Sequence, residues 1–283
     1  MTESYSVLLS VYHKENPAFF AAAIQSMMDQ TVPTNDFVIV CDGPLTEELY
    51  AVLDRFDSQY PGVFNIIRLE ENVGIGAAVN IGLNACKNEM VAKMDADDLS
   101  VPTRCETQLK KFADNPALTV LGGYIEEFEQ DPETPFSVRS VPLTNEEIRH
   151  FARRRQPFNN VTVMYRRSAV VGVGGYRPLR RCEDYDMYLR LLSNNFYCEN
   201  LPETLVKVRV DKSANMRRAS LATFKGIAQS RWRAFTMGYS SLFDFLYCCA
   251  GELVITVCPP MLQQKIYGRF LRQDAASKAA PKD

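Results

Sequence analysis

Apolar segments and amphipathic segments alternate through the first hundred residues, and this alternation constrains the fold more than any other feature. The apolar runs with strand character lie at residues 5–11, 37–41, 64–69 and 90–94. The segments with helical spacing of apolar residues lie at residues 17–28, 46–56 and 75–86. This strand–helix order predicts an α/β fold with a parallel sheet that is covered by helices on both faces.

Polar residues follow three of the predicted strands. The segments "SVYHKEN", "CDGP" and "DADD" stand at the ends of the first, second and fourth strands. Ligands of parallel sheets bind beyond the carboxyl ends of the strands. We therefore expect these three segments to meet in one crevice.

Three aspartates, Asp95, Asp97 and Asp98, occupy four positions behind the fourth predicted strand. Carboxylates this close repel one another, and a hard cation would offset the repulsion. Magnesium or manganese held by one or two carboxylates keeps open positions for substrate phosphates. A turn is the alternative, in which Asp98 caps the helix that begins near Pro102. The residue pattern leaves both interpretations open.

The rest of the chain is less regular. A helix is predicted within residues 102–116, and another over 183–194, after a glycine-rich loop at 171–178. Strands are predicted at 118–128, 159–167 and 205–210. The segment from about residue 216 onward has a helical pattern and is rich in aromatic and basic residues. We therefore predict an α/β domain over residues 1–215 and a C-terminal helical region over 216–283, with a disordered tail from residue 273.

Composition narrows the class of protein. The chain has 46% hydrophobic residues, enough for a sizeable core. Its start, "MTESYSVLLS", lacks the features of a signal peptide, and none of its eight cysteines forms a CxxC pair. We expect a cytoplasmic protein with reduced thiols and no zinc site. Basic pairs are scattered without a recognised binding motif, so no nucleic-acid partner is expected.

The C-terminal region differs in charge from the rest. Residues 207–272 contain 11 Lys/Arg and three Asp/Glu, a balance of +8. The apolar segment 241–262 is interrupted by Asp244, Glu252 and Pro259–Pro260, so no transmembrane helix is predicted. Basic and aromatic flanks suit a helix that lies on an anionic membrane surface. Packing on the α/β domain or on a second subunit is the alternative; the sequence does not indicate the oligomeric state.

Taken in order, six segments resemble glycosyltransferase family 2, whose members have the GT-A fold. They are "SVLLSVYHKENP", "VIVCDGP", "NVGIGAAVNIGL", "VAKMDADDLSVPTRCETQ", "VGGYRP" and "CEDYDMYLRLL", within residues 5–195. The form "CDGPLTEEL" is similar to the subgroup that builds bacterial exopolysaccharide, capsule or lipopolysaccharide. The resemblance implies a Rossmann-like, mostly parallel sheet. It also implies an inverting transfer of a sugar from a nucleotide diphosphate donor, a UDP-hexose, to a glycan or lipid-linked acceptor, with Mn²⁺ or Mg²⁺. Peripheral attachment to the inner face of the cell membrane would suit a lipid-linked acceptor.

The resemblance also assigns the donor site to particular positions. Those expected around the nucleotide and its diphosphate are Ser10, Val11, Tyr12, Asp42, Asn72, Gly74, Asn80, Lys93, Asp95 and Ala96. Asp95 and Asp97 match the DxD motif and would hold the metal, Asp97 more directly. Many members carry an acidic pair after the second strand, where this chain has Cys41 and Asp42.

The catalytic base falls, by the same resemblance, in the pair Glu183 and Asp184, with Asp184 as the acceptor of the proton. Without the resemblance, acids at a helix start only favour the macrodipole. Gly175 and Tyr176 would border the acceptor, with Tyr176 stacked on a sugar. The alternative is that Gly174 and Gly175 only allow a tight loop.

Two other functions stay open at this point. A nucleotidyltransferase would also place a metal-bound nucleotide at a parallel sheet. It predicts a glycine- and Arg/Lys-rich loop after the first strand, and "SVYHKENP" lacks the glycines. A non-catalytic module that binds nucleotide sugars or glycans is the second alternative.

Overall fold

The structure is a computed structural model that describes residues 4–179, 182–210, 221–257 and 273–274. The strands are β1 (Tyr5–Val11), β2 (Asp36–Cys41), β3 (Phe64–Arg68), β4 (Met90–Met94), β5 (Leu99–Ser100), β6 (Leu118–Phe128), β7 (Ser137–Arg139), β8 (Met164–Arg166), β9 (Tyr197–Arg209) and β10 (Gln273–Asp274). The helices are α1 (Pro17–Met28), α2 (Glu47–Gln59), α3 (Ile75–Ala85), α4 (Arg104–Asp114), α5 (Asn145–Phe151), α6 (Arg167–Gly172), α7 (Glu183–Ser193), α8 (Leu221–Thr236) and α9 (Leu242–Val257), with a 3₁₀ turn at Asn160–Thr162.

The described strands form one sheet in the order β10-β7-β6-β8-β4-β1-β2-β3, with β9 beside β6 and β5 beside β9. Strands β3, β2, β1 and β4 are parallel neighbours, which confirms the predicted parallel arrangement of the first hundred residues. Beyond β4 the sheet is mixed, because β8 runs antiparallel to both β4 and β6. Strands β6 and β7 are joined by a short loop, which an antiparallel pair allows, whereas helices cross over between the parallel strands β6 and β9.

Side-chain caps begin the first two helices. The Asn16 side chain accepts from the backbone N–H of Ala18 at 2.9 Å, and Thr46 caps α2 in the same way. Asp98, in contrast, caps no helix, because Thr103 is the N-cap of α4. Its carboxylate accepts from the backbone N–H of Arg209 at 2.9 Å and so joins the DxD segment to β9.

Helices cover both faces of the sheet, as predicted. One core cluster packs α1, α2 and α4 on the sheet through residues such as Phe20, Leu53 and Phe112. The other packs α3 and α7 through Leu83 and Leu192, among others. Each face therefore excludes water, and the polar residues are left to the strand ends.

The second half of the chain departs from the predicted boundaries. Residues 159–167 contain the 3₁₀ turn and the short β8 instead of one strand, and β9 begins at Tyr197, eight residues before the predicted strand. Polar residues interrupt the alternation of apolar and polar side chains in the first half of β9, so the sequence of that half does not indicate a strand. The predicted domain boundary at 215/216 lies outside the described residues and stays a prediction. The predicted tail disorder also lies outside them, except that Gln273–Asp274 pair with β7.

The C-terminal helices pack on the rest of the protein. The Arg231 guanidinium of α8 lies 4.3 Å from the ring centroid of Tyr185 and donates to the carbonyl oxygen of Arg153 at 3.2 Å. Arg154 forms an ion pair with Asp244 of α9 at 2.5 Å. None of the described helices is both long and apolar enough to cross a membrane.

Candidate active site

A cleft of about 340 Å³ lies at the carboxyl ends of β1, β2 and β4. Its lining residues are Ser10, Val11, Tyr12, Glu15, Asp42, Asn72, Gly74, Ile75, Asp95, Ala96 and Asp97. The crevice predicted from the three polar strand ends is thereby confirmed. Eight of the predicted donor-site positions, together with Asp97, line this one space.

Asp42 organises the end of the cleft beside β2. Its Oδ1 accepts from the backbone N–H of Val73 at 2.7 Å, and its Oδ2 accepts from Asn72 Nδ2 at 3.0 Å. The following residue, Gly43, has a φ of +86°, and a Cβ there would lie 2.9 Å from the backbone nitrogen of Asn72. Only glycine allows this close approach, which holds Asn72 and Gly74 at the cleft wall.

The opposite end of the cleft is acidic. Buried Lys93 of β4 forms an ion pair with Asp95 at 2.6 Å. Burial, followed by the carboxylates of Asp95 and Glu15, raises the pKa of Asp97 to about 6. Burial is also the main cause of the raised pKa of Glu15, to which Asp95 adds. The carboxylates of Glu15, Asp95 and Asp97 therefore outnumber the cations that act on them here, Lys93 and Arg209.

This acidic end has the donor chemistry of a hard-cation site. Within the described residues, no three His, Cys, Asp or Glu side chains form a group that could hold a metal ion by themselves. The cleft-facing donors are carboxylate oxygens, which Mg²⁺ and Mn²⁺ prefer. Burial and, after it, the neighbouring carboxylates of Asp95 and Glu15 disfavour the anionic form of Asp97, and a bound cation would favour that form. Asp95 and Asp97 thus fit a dication that keeps open positions for a ligand.

The pair Glu183 and Asp184 begins α7 and faces the same region. Asp184 accepts from Gln156 Nε2 at 2.8 Å and from the backbone N–H of Tyr185 at 2.7 Å. Burial raises the pKa of Asp184, while the charges of Lys93 and Asp95 shift it in opposite directions. Burial also raises the pKa of Glu183. A carboxylate with a raised pKa near the DxD segment is suited to accept a proton.

Asn80 and Tyr176 are not placed as the resemblance implied. Asn80 Nδ2 donates to the carbonyl oxygen of Tyr176 at 2.6 Å, and its Oδ1 accepts from the Tyr176 N–H at 2.7 Å. Asn80 therefore holds the loop before α7 and does not line the cleft. The Tyr176 ring is only 3% exposed and packs in the core, so it is not available to stack on a sugar. Gly175, with a φ of +60°, makes the turn that places this ring inside.

The structure adds residues that the sequence did not indicate. Glu15 and Ile75 line the cleft, and Gln156 orients Asp184. Glu15 lies in the polar segment after β1, so its position on a strand end was a usable signal. Gln156 lies far from any motif, and nothing in the local sequence marks it.

Known proteins resemble this chain over most of its length. An uncharacterised glycosyltransferase of Haemophilus influenzae is 35% identical, covering 95% of this chain and 99% of the relative. An Escherichia coli protein named UDP-Gal:alpha-D-GlcNAc-diphosphoundecaprenol beta-1,3-galactosyltransferase is 30% identical, covering 96% of this chain and 98% of the relative. The amylovoran biosynthesis glycosyltransferase AmsE of Erwinia amylovora is 37% identical, covering 76% and 79%.

Solved structures share the fold. The mannosyltransferase PcManGT of Pyrobaculum calidifontis, in complex with GDP-Man and Mn²⁺, superimposes with a TM-score of 0.65 at 16% identity, covering 100% of this chain and 77% of that one. Residues 1–349 of TarS from S. aureus, in complex with UDP, superimpose with a TM-score of 0.60 at 16% identity. The match covers 94% of this chain and 70% of that one. The fold is therefore of the GT-A type, as expected. The profile of the family described as "Glycosyl transferase family 2" matches residues 6–179, and with these full-length relatives it shows that the chain belongs to glycosyl transferase family 2.

Proposed function

We propose that this protein is an inverting glycosyltransferase of cell-surface polysaccharide assembly. It transfers a hexose from a UDP-sugar to a hydroxyl group of a glycan or lipid-linked acceptor. The observation that carries the proposal is one cleft that brings Asp95 and Asp97 together, with Asp184 beside it. The names of the Erwinia and E. coli relatives support a polysaccharide pathway and a lipid-linked acceptor. The UDP complex of a protein with the same fold supports the donor class.

The donor would lie along the cleft from the Asp42 end to the acidic end. Tyr12, Asp42 and Asn72 contact the nucleoside in this proposal, and the diphosphate lies toward Asp95 and Asp97. These two carboxylates would hold Mn²⁺ or Mg²⁺, as the Mn²⁺ complex of PcManGT supports. When bound, the cation stabilises as a Lewis acid the charge that develops on the leaving diphosphate.

Asp184 would act on the acceptor. Its carboxylate takes the proton of the acceptor hydroxyl while that oxygen forms a bond to the anomeric carbon. The bond from this carbon to the diphosphate oxygen breaks on the opposite side, and the bonding electrons leave with the nucleoside diphosphate. Attack opposite the leaving group inverts the anomeric configuration. The raised pKa of Asp184 makes it a stronger base than an ordinary aspartate, and Gln156 holds it in place.

A thermal-shift screen of nucleotide sugars, with and without Mn²⁺, tests the donor assignment. A ligand at a hundredfold over its dissociation constant stabilises the folded state by about 2.7 kcal/mol. We expect UDP-hexoses with Mn²⁺ to raise the unfolding temperature, and Asp97→Asn to remove the effect of the metal. The absence of a shift with every nucleotide sugar would contradict the proposal.

The variant Asp184→Asn separates an enzyme from a binding module. Transfer should fall by a factor of about 100 or more, while the donor still raises the unfolding temperature. Asp57→Asn on the exposed face of α2 is the matched control and should transfer normally. Transfer by Asp184→Asn at the wild-type rate would show that another group is the base.

We also infer that α9 contacts an anionic membrane surface. Large apolar side chains on one face of this helix are exposed: Leu242, Phe243, Leu246, Tyr247 and Leu253. The Arg154 guanidinium, which is ion-paired with Asp244, lies 5.6 and 5.1 Å from the ring centroids of Phe243 and Tyr247. Aromatic rings beside a cation match the boundary between headgroups and acyl chains of anionic lipids. Such contact would keep the enzyme close to a lipid-linked acceptor.

Flotation with liposomes tests this contact. The wild-type protein should float with phosphatidylglycerol liposomes at low salt, and Phe243→Ser with Tyr247→Ser should reduce the bound fraction. Phosphatidylcholine liposomes are the control for charge. Equal flotation of the wild type and the double variant would exclude the α9 face as the contact.

A further inference from the structure

Three arginines converge on a single buried aspartate at the start of α7. Asp186 accepts from Arg190 Nε at 2.8 Å, and its two oxygens lie 3.4 Å from Arg233 Nη1 and 4.0 Å from Arg177 Nε. Within the described part of the chain, the ion pairs of these three guanidinium groups all end on Asp186. The cluster therefore combines three positive charges with one negative charge.

Arg190 is the structural member of the cluster. Its side chain is 5% exposed, and besides Asp186 it donates to the carbonyl oxygens of Val173 and Gly175. A buried, hydrogen-bonded pair of this kind already neutralises the Asp186 charge. Arg177 and Arg233 have side chains that are 44% and 40% exposed. They present two further positive charges at the surface beside a neutral pair.

These two arginines lie next to the candidate active site. A Cβ on Gly76, the second residue of α3, would lie 3.3 Å from the carbonyl oxygen of Arg177 and 3.4 Å from the Glu183 Cβ. The residues immediately before Gly76 line the donor cleft. Asp186 follows Asp184 by two positions, about 3 Å along a helix. The surplus charge thus lies at the same end of α7 as the proposed base and close to the donor cleft.

We propose that Arg177 and Arg233 bind the diphosphate of a lipid-linked acceptor. Guanidinium groups present paired N–H donors that match phosphate oxygens, and two arginines suit the two phosphates of a diphosphate diester. The bound anion offsets the surplus charge around Asp186. Because Arg233 belongs to α8, the C-terminal region would contribute directly to the choice of acceptor. This inference rests on the proposed function, since it names the acceptor class of the same active site.

The test measures binding to the full-length protein saturated with UDP and Mn²⁺, which occupy the donor site. The probe is an N-acetylglucosaminyl diphosphate ester of a short alkyl chain, and its control is the alkyl glycoside without the diphosphate. Calorimetry should show that the wild type binds the probe more tightly than the control. The double variant Arg177→Gln/Arg233→Gln should bind the probe about tenfold more weakly or worse. Arg55→Gln, on the exposed face of α2, should bind like the wild type.

Further variants and probes distinguish diphosphate binding by these arginines from a purely structural role, and a failure of this proposal from a failure of the proposed function. Arg177→Lys/Arg233→Lys retains the charge and should recover part of the affinity if the diphosphate is the ligand. Equal binding of the probe by the wild type and the glutamine variant would overturn the proposal, as would equal binding of probe and glycoside. Inorganic pyrophosphate that binds as tightly as the probe would overturn the assignment to a lipid-linked acceptor. A wild-type protein that does not bind UDP would instead refute the proposed function.

Discussion

Replacing Gly175 by alanine should destabilise the loop that leads into α7. Gly175 has a φ of +60°, a conformation that costs an L-residue free energy. A Cβ at this position would also clash with Asn80 Oδ1, the atom that accepts from the Tyr176 N–H at 2.7 Å. Because the Asn80 amide also donates to the Tyr176 carbonyl at 2.6 Å, moving the amide away weakens two hydrogen bonds.

The expected loss of stability follows from these contacts. The left-handed backbone costs alanine about 1–2 kcal/mol. Two hydrogen bonds contribute about 0.5–1.5 kcal/mol each. The free energy of unfolding should therefore fall by about 2–5 kcal/mol, which lowers the unfolding temperature by roughly 5–15 °C for a chain of this size. Transfer should fall as well, since the same loop precedes Asp184.

Two neighbouring glycines provide matched controls in chemical and thermal unfolding. Gly174 has a φ of +87°. A Cβ there would lie 3.8 Å from Arg190 Nη1, which is an ordinary van der Waals contact. Gly174→Ala should therefore lose only the backbone contribution of about 1–2 kcal/mol. Gly172→Ala, whose Cβ would meet no atom within 4 Å, should change stability by less than about 1 kcal/mol.

A double-mutant cycle gives the decisive comparison. In an Asn80→Ala background the clash and both hydrogen bonds are already absent, so Gly175→Ala should cost only about 1–2 kcal/mol. If Gly175→Ala costs the same in both backgrounds, or no more than Gly174→Ala, the Asn80 contact does not stabilise this loop. The tertiary reason given for the glycine would then be wrong.

Two further predictions concern the acidic end of the cleft and the buried polar core. In EDTA at pH 8, Asp97→Asn should unfold at a higher temperature than the wild type. The pKa of Asp97 is raised to about 6, so its charge destabilises the fold as pH rises through the range from 4 to 6. The difference should shrink at pH 5, and an equal difference at pH 5 and pH 8 would contradict the assignment. Gln108→Leu should lower the free energy of unfolding by about 2–4 kcal/mol, because Gln108 donates to the carbonyl oxygens of Leu121 and Thr162 at 2.9 Å each. Lys110→Leu on the exposed face of α4 is the control in urea unfolding, and equal losses for the two would refute the role of these bonds.

Local patterns were sufficient for the first half of the fold and for the position of the cleft. The apolar periodicity of β1 to β4 and of α1 to α3 depends on residues a few positions apart, and a single chain displays it directly. The parallel order then brings the ends of β1, β2 and β4 to one edge of the sheet. For this reason the cleft positions of Asp42, Asp95 and Asp97 could be predicted from strand order, whereas Asn72 was assigned only by the family resemblance.

Other features depend on contacts between residues that are distant in the chain. Tyr176 is buried in the core, and its backbone is held by the amide of Asn80, 96 positions earlier. The antiparallel placement of β8 beside β4, and the meeting of Arg233 with Asp186, likewise depend on how separate elements pack. Sequence periodicity reports which side of an element is apolar, but it does not report which element that side meets. Burial and hydrogen bonding across that distance are properties of the packed structure, and only the tertiary structure decided them.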